Sequence, residues 1–346
     1  MTANMRETKH AAERLWSMAT PTIIQVRVPV PFSLKWINSY ILLQHDGTFT
    51  IVDPGLHTVE AEEAWRTVMS ELSLHWKHCS SIIVTHQHPD HYGLAGYAQQ
   101  LSGAPVYMTR ESKAYTEKLW GDGKEQFHQH MMELLNLHGT PQDIIEAILE
   151  NLHSFQAKVE PQPQVTYVAA GEKLQAGDFQ WQIIHTEGHA YGGMMLYSDK
   201  AKLLLCGDQV LPHITPHVGV VAGEQRPVLK QFLNNLQSIS ALEVELVLPG
   251  HRQPFPNYSE RIGEIVAHHE RRLASLRQYI EQNGAQHAFN CCEWMFGKHL
   301  RNNAHNMRFA LTEVIAHLQY LQELEELVEH ASADGIILYG VMSAAK

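Results

Sequence analysis

Apolar and polar positions alternate in the stretch IIQVRVPV, Ile23 to Val30. Side chains of a strand point to its two faces in turn, so a period of two predicts a strand with one buried face. SYILLQHDGTFTIVDPG follows as a hairpin turning at Asp46-Gly47, a dipeptide that accepts the positive φ angles of tight turns. In HTVEAEEAWRTVMSELSL the period lengthens, with Val59, Ala64, Val68 and Leu72 at roughly helical spacing. SSIIVTH then has the length and composition of a buried strand. A helix is predicted to start near Pro89-Asp90, and APVYMT to be the next strand. Strands alternating with helices predict a layered α/β fold rather than a pure sandwich.

Arg110 to Pro163 breaks this rhythm. Its segments EQFHQHMMELLNLHG and TPQDIIEAILENLHSF are helical in character and end in the stiff VEPQPQ, which predicts an inserted helical cap. Strands resume from Val165 in QVTYVAAGEKLQAG, FQWQIIHTEGH, GGMMLYSD and AKLLLCGD, and later in VELVLPGH. After Asn257 the pattern turns helical again: Ile262, Ile265, Val266, His269, Leu273, Leu276 and Ile280 form one stripe, with Ser259 as its N-cap. MRFALTEVIAHLQYLQELEELV predicts a second long helix and DGIILYGV a short terminal strand. The tail, residues 258–346, is expected to be a small winged-helix-like domain. No internal repeat or low-complexity tract interrupts the chain.

Composition narrows the function classes. The chain has 346 residues, 44% of them hydrophobic, enough for a substantial core. Its formal net charge of -11 opposes a general nucleic-acid or anionic-membrane binder. No apolar run approaches the length of a membrane span, and the charged N-terminus lacks a secretory apolar segment. Cys79, Cys206, Cys291 and Cys292 show no disulfide framework, so the expectation is a reduced, cytoplasmic protein. The 24 histidines are the unusual feature, and with so many a histidine counts only inside a pattern.

Such a pattern is THQHPDH. His86 and His88 are two apart on an extended segment and point to one side, while Asp90 and His91 fall in the first turn after Pro89. Nitrogen and oxygen donors so placed suit Zn²⁺ and other borderline divalent ions. A lone H-x-H would more simply be a surface turn in a histidine-rich protein. The full H-x-H-x-D-H after an apolar strand favours the metal.

The chain resembles the metallo-β-lactamase superfamily, and that family's remaining signatures occur in order: Asp53 in TIVDPG, THQHPDH, His189 in HTEGHAYGG, Asp208 in LLLCGD and His251 in LPGH. Each follows an apolar strand, and the resemblance covers roughly Thr22 to Asn257. It implies a four-layer αββα sandwich over residues 1–257, with the helical cap inserted at about 110–163 and a small, mainly helical C-terminal domain at 258–346. It also implies two divalent metal ions, with His86, His88 and His189 on one, Asp90, His91 and His251 on the other, and Asp208 bridging them. Asp53 resembles the family's supporting acid, orienting a ligand or its loop. Zinc is the first expectation, with iron or manganese accepted by the same donors.

Two such ions lower the pKa of a bridging water from about 16 to near 7, so hydrolysis of an ester, thioester, lactone, amide or phosphodiester is expected. Asp90 is the candidate proton acceptor and donor. No G-x-S-x-G elbow or P-loop competes with this reading. The tyrosine that lactonases of this fold carry after the bridging aspartate is missing from GDQVLPHITPH. The zinc β-lactamases proper lack the acid that Asp90 supplies, and no basic cluster for glutathione or RNA is visible. A small acyl substrate is therefore expected, with a phosphodiesterase or a metal-binding regulator as alternatives and nucleic acid disfavoured as a partner. The acidic tail suggests packing on the core or on a second subunit, so a homodimer is also an expectation. His213, His217 and Tyr191 are candidates for substrate contact, each with loop packing as the plainer role. His268 and His269 are read as helix packing, Cys206 as a core thiol, and His128, His130 and His138 as surface residues of the insert.

Overall fold

A computed structural model of the chain describes residues 12–18 and 20–342. Its first sheet runs in chain order: β1 (Ala12–Met18), β2 (Thr20–Pro29), β3 (Trp36–Leu43), β4 (Phe49–Val52), β5 (Cys79–Ile83), β6 (Val106–Thr109) and β7 (Val165–Val168). β1 to β4 pair antiparallel and β4 to β7 parallel. Parallel neighbours need crossovers. These are α1 (Val59–Glu71), then α2 (Pro89–Tyr92) with α3 (Ala95–Ser102), then the inserted α4 (Arg110–Leu119), α5 (Lys124–Leu137) and α6 (Gln142–His153).

The second sheet contains β8 (Lys173–Ala176), β9 (Phe179–Thr186), β10 (Gly193–Ser198), β11 (Leu203–Gly207) and β12 (Leu246–Pro249). It is antiparallel except for β11 and β12, which α7 (Val228–Ile239) connects in parallel. Ile23, Leu42, Val52 and Ile83 of the first sheet meet Trp181, Ile183, Met194 and Leu205 of the second in one apolar cluster. On the outer face of the first sheet, Ile24, Val26, Ile51 and Ile82 pack against Trp65 and Val68 of α1 and Ala98 of α3. Met195, Leu204 and Val247 do the same against α7 on the other side. The four layers are therefore αββα, as expected.

The C-terminal region is α8 (Tyr258–Asn283), α9 (Ala288–Phe296), α10 (Ala304–Glu323) and a hairpin of β13 (Leu327–Ala331) and β14 (Ile337–Val341). The predicted stripe of α8 is buried except Val266, which is half-buried. Ser259 lies inside the helix instead of capping it: the cap position is Asn257, whose side chain turns to Glu260. α10 ends earlier than its sequence suggested, because Glu325 takes φ 58° and starts the turn into β13. α7 to α10, the insert and the outer face of the second sheet share one continuous apolar core, with Met131, Ile145, Phe232, Ile265, Leu276 and Leu311 among its members.

That sharing corrects the reading of two insert histidines. His128 and His138 are buried, His128 against His153 and His138 stacked on Tyr339 of β14. His130 is half-buried. All four cysteines are free and buried, Cys206 among them. Among the described residues no helix is long and apolar enough to cross a membrane.

Candidate metal centre

β4 and β5 run parallel, so Asp53 and the segment from Thr85 to His91 leave the first sheet on the same edge. β9, β11 and β12 share a direction in the second sheet and release His189, Asp208 and His251 on the facing edge. Residues more than 150 positions apart thereby converge. The loop carrying His251 is fixed from β3: Asn38 Nδ2 donates to the carbonyls of Pro249 (2.9 Å) and Arg252 (2.6 Å), and the Tyr40 hydroxyl donates to Pro249 (2.8 Å). Gly250 leaves room for the Asp208 and His91 side chains, because a Cβ there would lie 2.3 Å from Asp208 Oδ1 and 2.6 Å from the His91 ring. Gly207 takes φ 50° and leaves no room for a side chain beside Thr85 Oγ1.

Two donor clusters result. In the first, His86 Nε2 is 3.0 Å from His88 Nδ1 and 3.4 Å from His189 Nε2. In the second, Asp90 Oδ2 is 3.4 Å from His251 Nε2 and 3.9 Å from His91 Nε2. Asp208 touches both: its Oδ2 lies 3.8 Å from His189 Nε2 and 3.3 Å from His251 Nε2, and its Oδ1 lies 3.5 Å from His91 Nε2. Around an ion with bonds of about 2.0–2.1 Å, tetrahedral ligands stand roughly 3.3 Å apart, so these separations fit a divalent cation. The His91 Nε2 and Asp208 Oδ1 atoms are also buried without a hydrogen-bond partner, which fits a donor set that takes a cation.

The opposite ring nitrogens are held. His91 Nδ1 donates to Asp53 Oδ2 (2.9 Å), His189 Nδ1 to the His217 carbonyl (2.8 Å) and His251 Nδ1 to the Trp36 carbonyl (3.3 Å). Each bond fixes the tautomer that aims the Nε2 lone pair into the centre. Asp53 reaches a second ligand through Thr85, whose backbone N–H donates to Oδ1 and whose hydroxyl donates to Oδ2, both at 2.7 Å. That hydroxyl accepts from His86 Nδ1 at 2.9 Å. Asp53 itself sits at φ 52°, a left-handed conformation unusual for a non-glycine residue.

Without cations, protons are shared among these groups. Burial pushes the imidazoles of His86 and His88 down, His88 to about 3, and neighbouring histidine charges add to it. For His91 and His251 burial acts the same way, but Asp208 first and then the other carboxylates outweigh it, raising His251 to about 10 and His91 well above its usual value. Burial alone would raise Asp90 and Asp208; the facing histidines hold both carboxyls below the ordinary range.

The centre opens into a cavity of about 280 Å³ lined by His88, Asp90, His189, Asp208 and His251 on one wall. Phe32, Trp120, Phe127, Met131, Leu152 and Phe155 make an apolar wall, and His305, Arg308, Phe309 and Thr312 of α10 close it. Tyr191 lines it with a buried hydroxyl that lacks a hydrogen-bond partner; its ring packs on Tyr115 (4.8 Å) under the Arg226 guanidinium (4.5 Å). His217 also lines it, but its Nε2 is taken by the Phe309 carbonyl (3.0 Å) and Thr312 Oγ1 (3.2 Å) of α10. His213 is not brought there: it is exposed at φ 64°, on the outside of the loop whose inner side bears Leu211 and Ile214. Sequence reasoning missed Thr85 and the whole contribution of α10. The threonine was visible as the residue before the first histidine, whereas nothing local marks α10 as part of a site.

The sequence profile described as the metallo-beta-lactamase superfamily matches residues 35–251, and a second, described as a metallo-beta-lactamase-like C-terminal domain, matches residues 273–342. The probable metallo-hydrolase YqjP of Bacillus subtilis (strain 168) is 21% identical over 319 residues, 90% of this chain and 96% of its own length. A crystal structure of a metallo-beta-lactamase family protein from Thermus thermophilus superposes with a TM-score of 0.82 at 29% identity, covering 93% of this chain and 99% of that one. A beta-lactamase domain protein from Burkholderia ambifaria gives 0.81 at 28% identity, covering 94% and 93%.

Proposed function

The chain belongs to the metallo-β-lactamase superfamily, and we propose that this metallo-hydrolase uses two divalent ions to cleave an ester, thioester or lactone. The observation that carries the dinuclear reading is Asp208, one carboxylate within 3.3–3.8 Å of nitrogens from both histidine clusters. One ion is assigned to His86, His88 and His189 and the second to Asp90, His91 and His251, with Asp208 between them. Bound there, the ions supply Lewis-acid activation of a carbonyl and a water acidified toward neutrality. The nitrogen-rich donor set favours zinc and also accepts iron or manganese.

The remaining work falls to the chain. Asp53 keeps His91 directly, and His86 through Thr85, turned toward the centre. Asp90 lines the cavity and is kept ionised by His91 and His251, so it can take a proton from the attacking water and return it to the leaving group. The apolar wall of Phe127, Met131, Leu152 and Phe155 excludes water and suits an acyl chain better than a nucleotide.

Metal analysis with assays of a thioester, a lactone and bis-p-nitrophenyl phosphate on the loaded protein tests this reading. Two ions per chain with turnover of an acyl substrate is expected. Less than one ion per chain would end the dinuclear assignment, and faster cleavage of the phosphodiester would end the acyl one.

A further inference from the structure

Arg308 stands on α10 with its side chain on the cavity wall, and its guanidinium donates no hydrogen bond and faces no carboxylate among the described residues. Its Nε is sealed from solvent without a partner. Of the cations around the cavity, Arg226 pairs with Glu111 and Lys118 with Glu224, and Lys158 lies over the Phe155 ring at 5.0 Å. Arg308 is half-buried, so water reaches part of the group, but the sealed Nε has given up its hydration for no partner, which packing alone would avoid by using leucine or methionine. Burial draws its pKa down only to about 10, so it stays charged at neutral pH. What it does touch is the face of Phe309, 4.4 Å from the guanidinium carbon. Stacking of that kind holds the planar group flat and leaves its N–H edge free for a forked contact with an oxyanion.

The position relative to the centre matters as much. Arg308 lines the same cavity as Asp90, Asp208 and His251, and the lining also includes the apolar Phe127, Met131, Leu152 and Phe155. His305, one turn before Arg308, feels both: burial and the Arg308 charge push it down to about 4, and the Asp90 charge pulls the other way. It is stacked on Phe32 (4.7 Å), which with Phe155 completes an aromatic lining around the route.

We propose that Arg308 receives an oxyanion, carboxylate or phosphoryl, borne by the substrate at the end of a short apolar spacer from the bond cleaved at the metal centre. The enzyme then selects acyl substrates carrying a negative charge over neutral ones of the same length. This rests on the proposed acyl hydrolysis for the place of the reacting bond, but not for the binding of the anion.

The test uses the metal-loaded full chain and two readouts. The first compares KM for the mono-p-nitrophenyl ester of glutaric acid with that for p-nitrophenyl butyrate. The second measures, by calorimetry, binding of glutaric acid monoanilide, its phosphonate counterpart and neutral butyranilide. A charge-assisted hydrogen bond of this kind is expected to favour the anionic member by roughly 10- to 100-fold. Whether carboxylate or phosphonate binds tighter identifies the oxyanion. Arg308→Gln should bring the charged-to-neutral ratio close to one in both readouts, and Arg308→Lys, which keeps charge without the fork, should leave an intermediate ratio. Near-ultraviolet circular dichroism and metal content verify folding of each variant; if Arg308→Gln does not fold, the lysine variant carries the comparison. Equal affinity for charged and neutral ligands in the wild type, or a preference that survives Arg308→Gln, overturns the proposal. If no ester is cleaved yet the calorimetric preference depends on Arg308, the inference stands and the acyl-hydrolase reading falls.

Discussion

Asp53 joins two histidines of the donor clusters through a single carboxylate, directly to His91 and by way of the Thr85 hydroxyl to His86. Its strained φ of 52° is what turns both oxygens toward those partners. Asp53→Asn should therefore keep the fold and weaken metal affinity by roughly 10- to 100-fold, read by competition with a chelator. Thr85→Val should lose less, since it severs only the arm to His86. Asp208→Ala should remove metal from both positions and abolish turnover; wild-type activity with two ions retained would sink its bridging role. Proton uptake follows from the same geometry. Below the raised pKa values of His91 and His251, the metal-free centre holds protons that a cation must displace. Loading at neutral pH should therefore release roughly two protons per chain, measurable from the buffer dependence of the binding heat, and affinity should fall as pH falls. The candidate donors that the structure brings together were legible in the sequence because they follow apolar strands within spaced motifs. Thr85 was visible only as the residue before His86; its role needs the β4–β5 register that carries Asp53 to Ile83, where the Asp53 N–H donates to the Ile83 carbonyl at 2.9 Å.

At the scale of elements, α10 has two faces with different tasks. Leu311, Val314, Ile315 and Leu318 belong to the core, while His305, Arg308, Phe309 and Thr312, spaced by three and four, look into the cavity. The sequence predicted α10 from its apolar period but could not tell which non-core positions met water and which met a site. The same ambiguity extended the helix past Glu323 and hid β13, since one left-handed residue, Glu325, decides where it stops. The expected tail, residues 258–346, begins where α8 does, yet its helices share a core with the insert and the second sheet. A chain ending at residue 257 should consequently expose that core and be recovered aggregated, with no cooperative thermal transition. A folded, metal-binding fragment would show instead that the region is dispensable for folding.

Across the whole molecule, many of the 24 histidines turn out to be interior. Burial lowers His138 to about 4, His269 to about 2 and His317 to about 3, with neighbouring histidine charges adding at His138 and His269. His317 Nδ1 donates to the Glu313 carbonyl at 2.7 Å, so its Nε2 accepts from His269 Nδ1 at 3.0 Å, which keeps His317 neutral. These folded values lie below the unfolded value near 6.5, so the unfolded chain takes up protons that the folded one refuses. The stability they contribute is complete above about pH 6.5 and is lost as pH falls toward their folded values. Denaturant unfolding should show a loss of up to about 4 kcal/mol per pH unit below pH 6 from these three groups together. His138→Gln should reduce the slope by about one proton, and an unchanged slope would remove His138 from this account.

The sequence by itself determined the layered fold and the order of the candidate donors, because periodicity records burial and short motifs record the ends of strands. It determined the class of chemistry for the same reason: the donor atoms lie where strands must end. Only the tertiary structure decided that Tyr191 and His217 line the cavity while His213 turns outward, that histidines of the insert are buried, and that Arg308 lines the same cavity as Asp90 and Asp208. Each of those depends on which surfaces pack together across more than a hundred residues, and no local window of sequence carries that information.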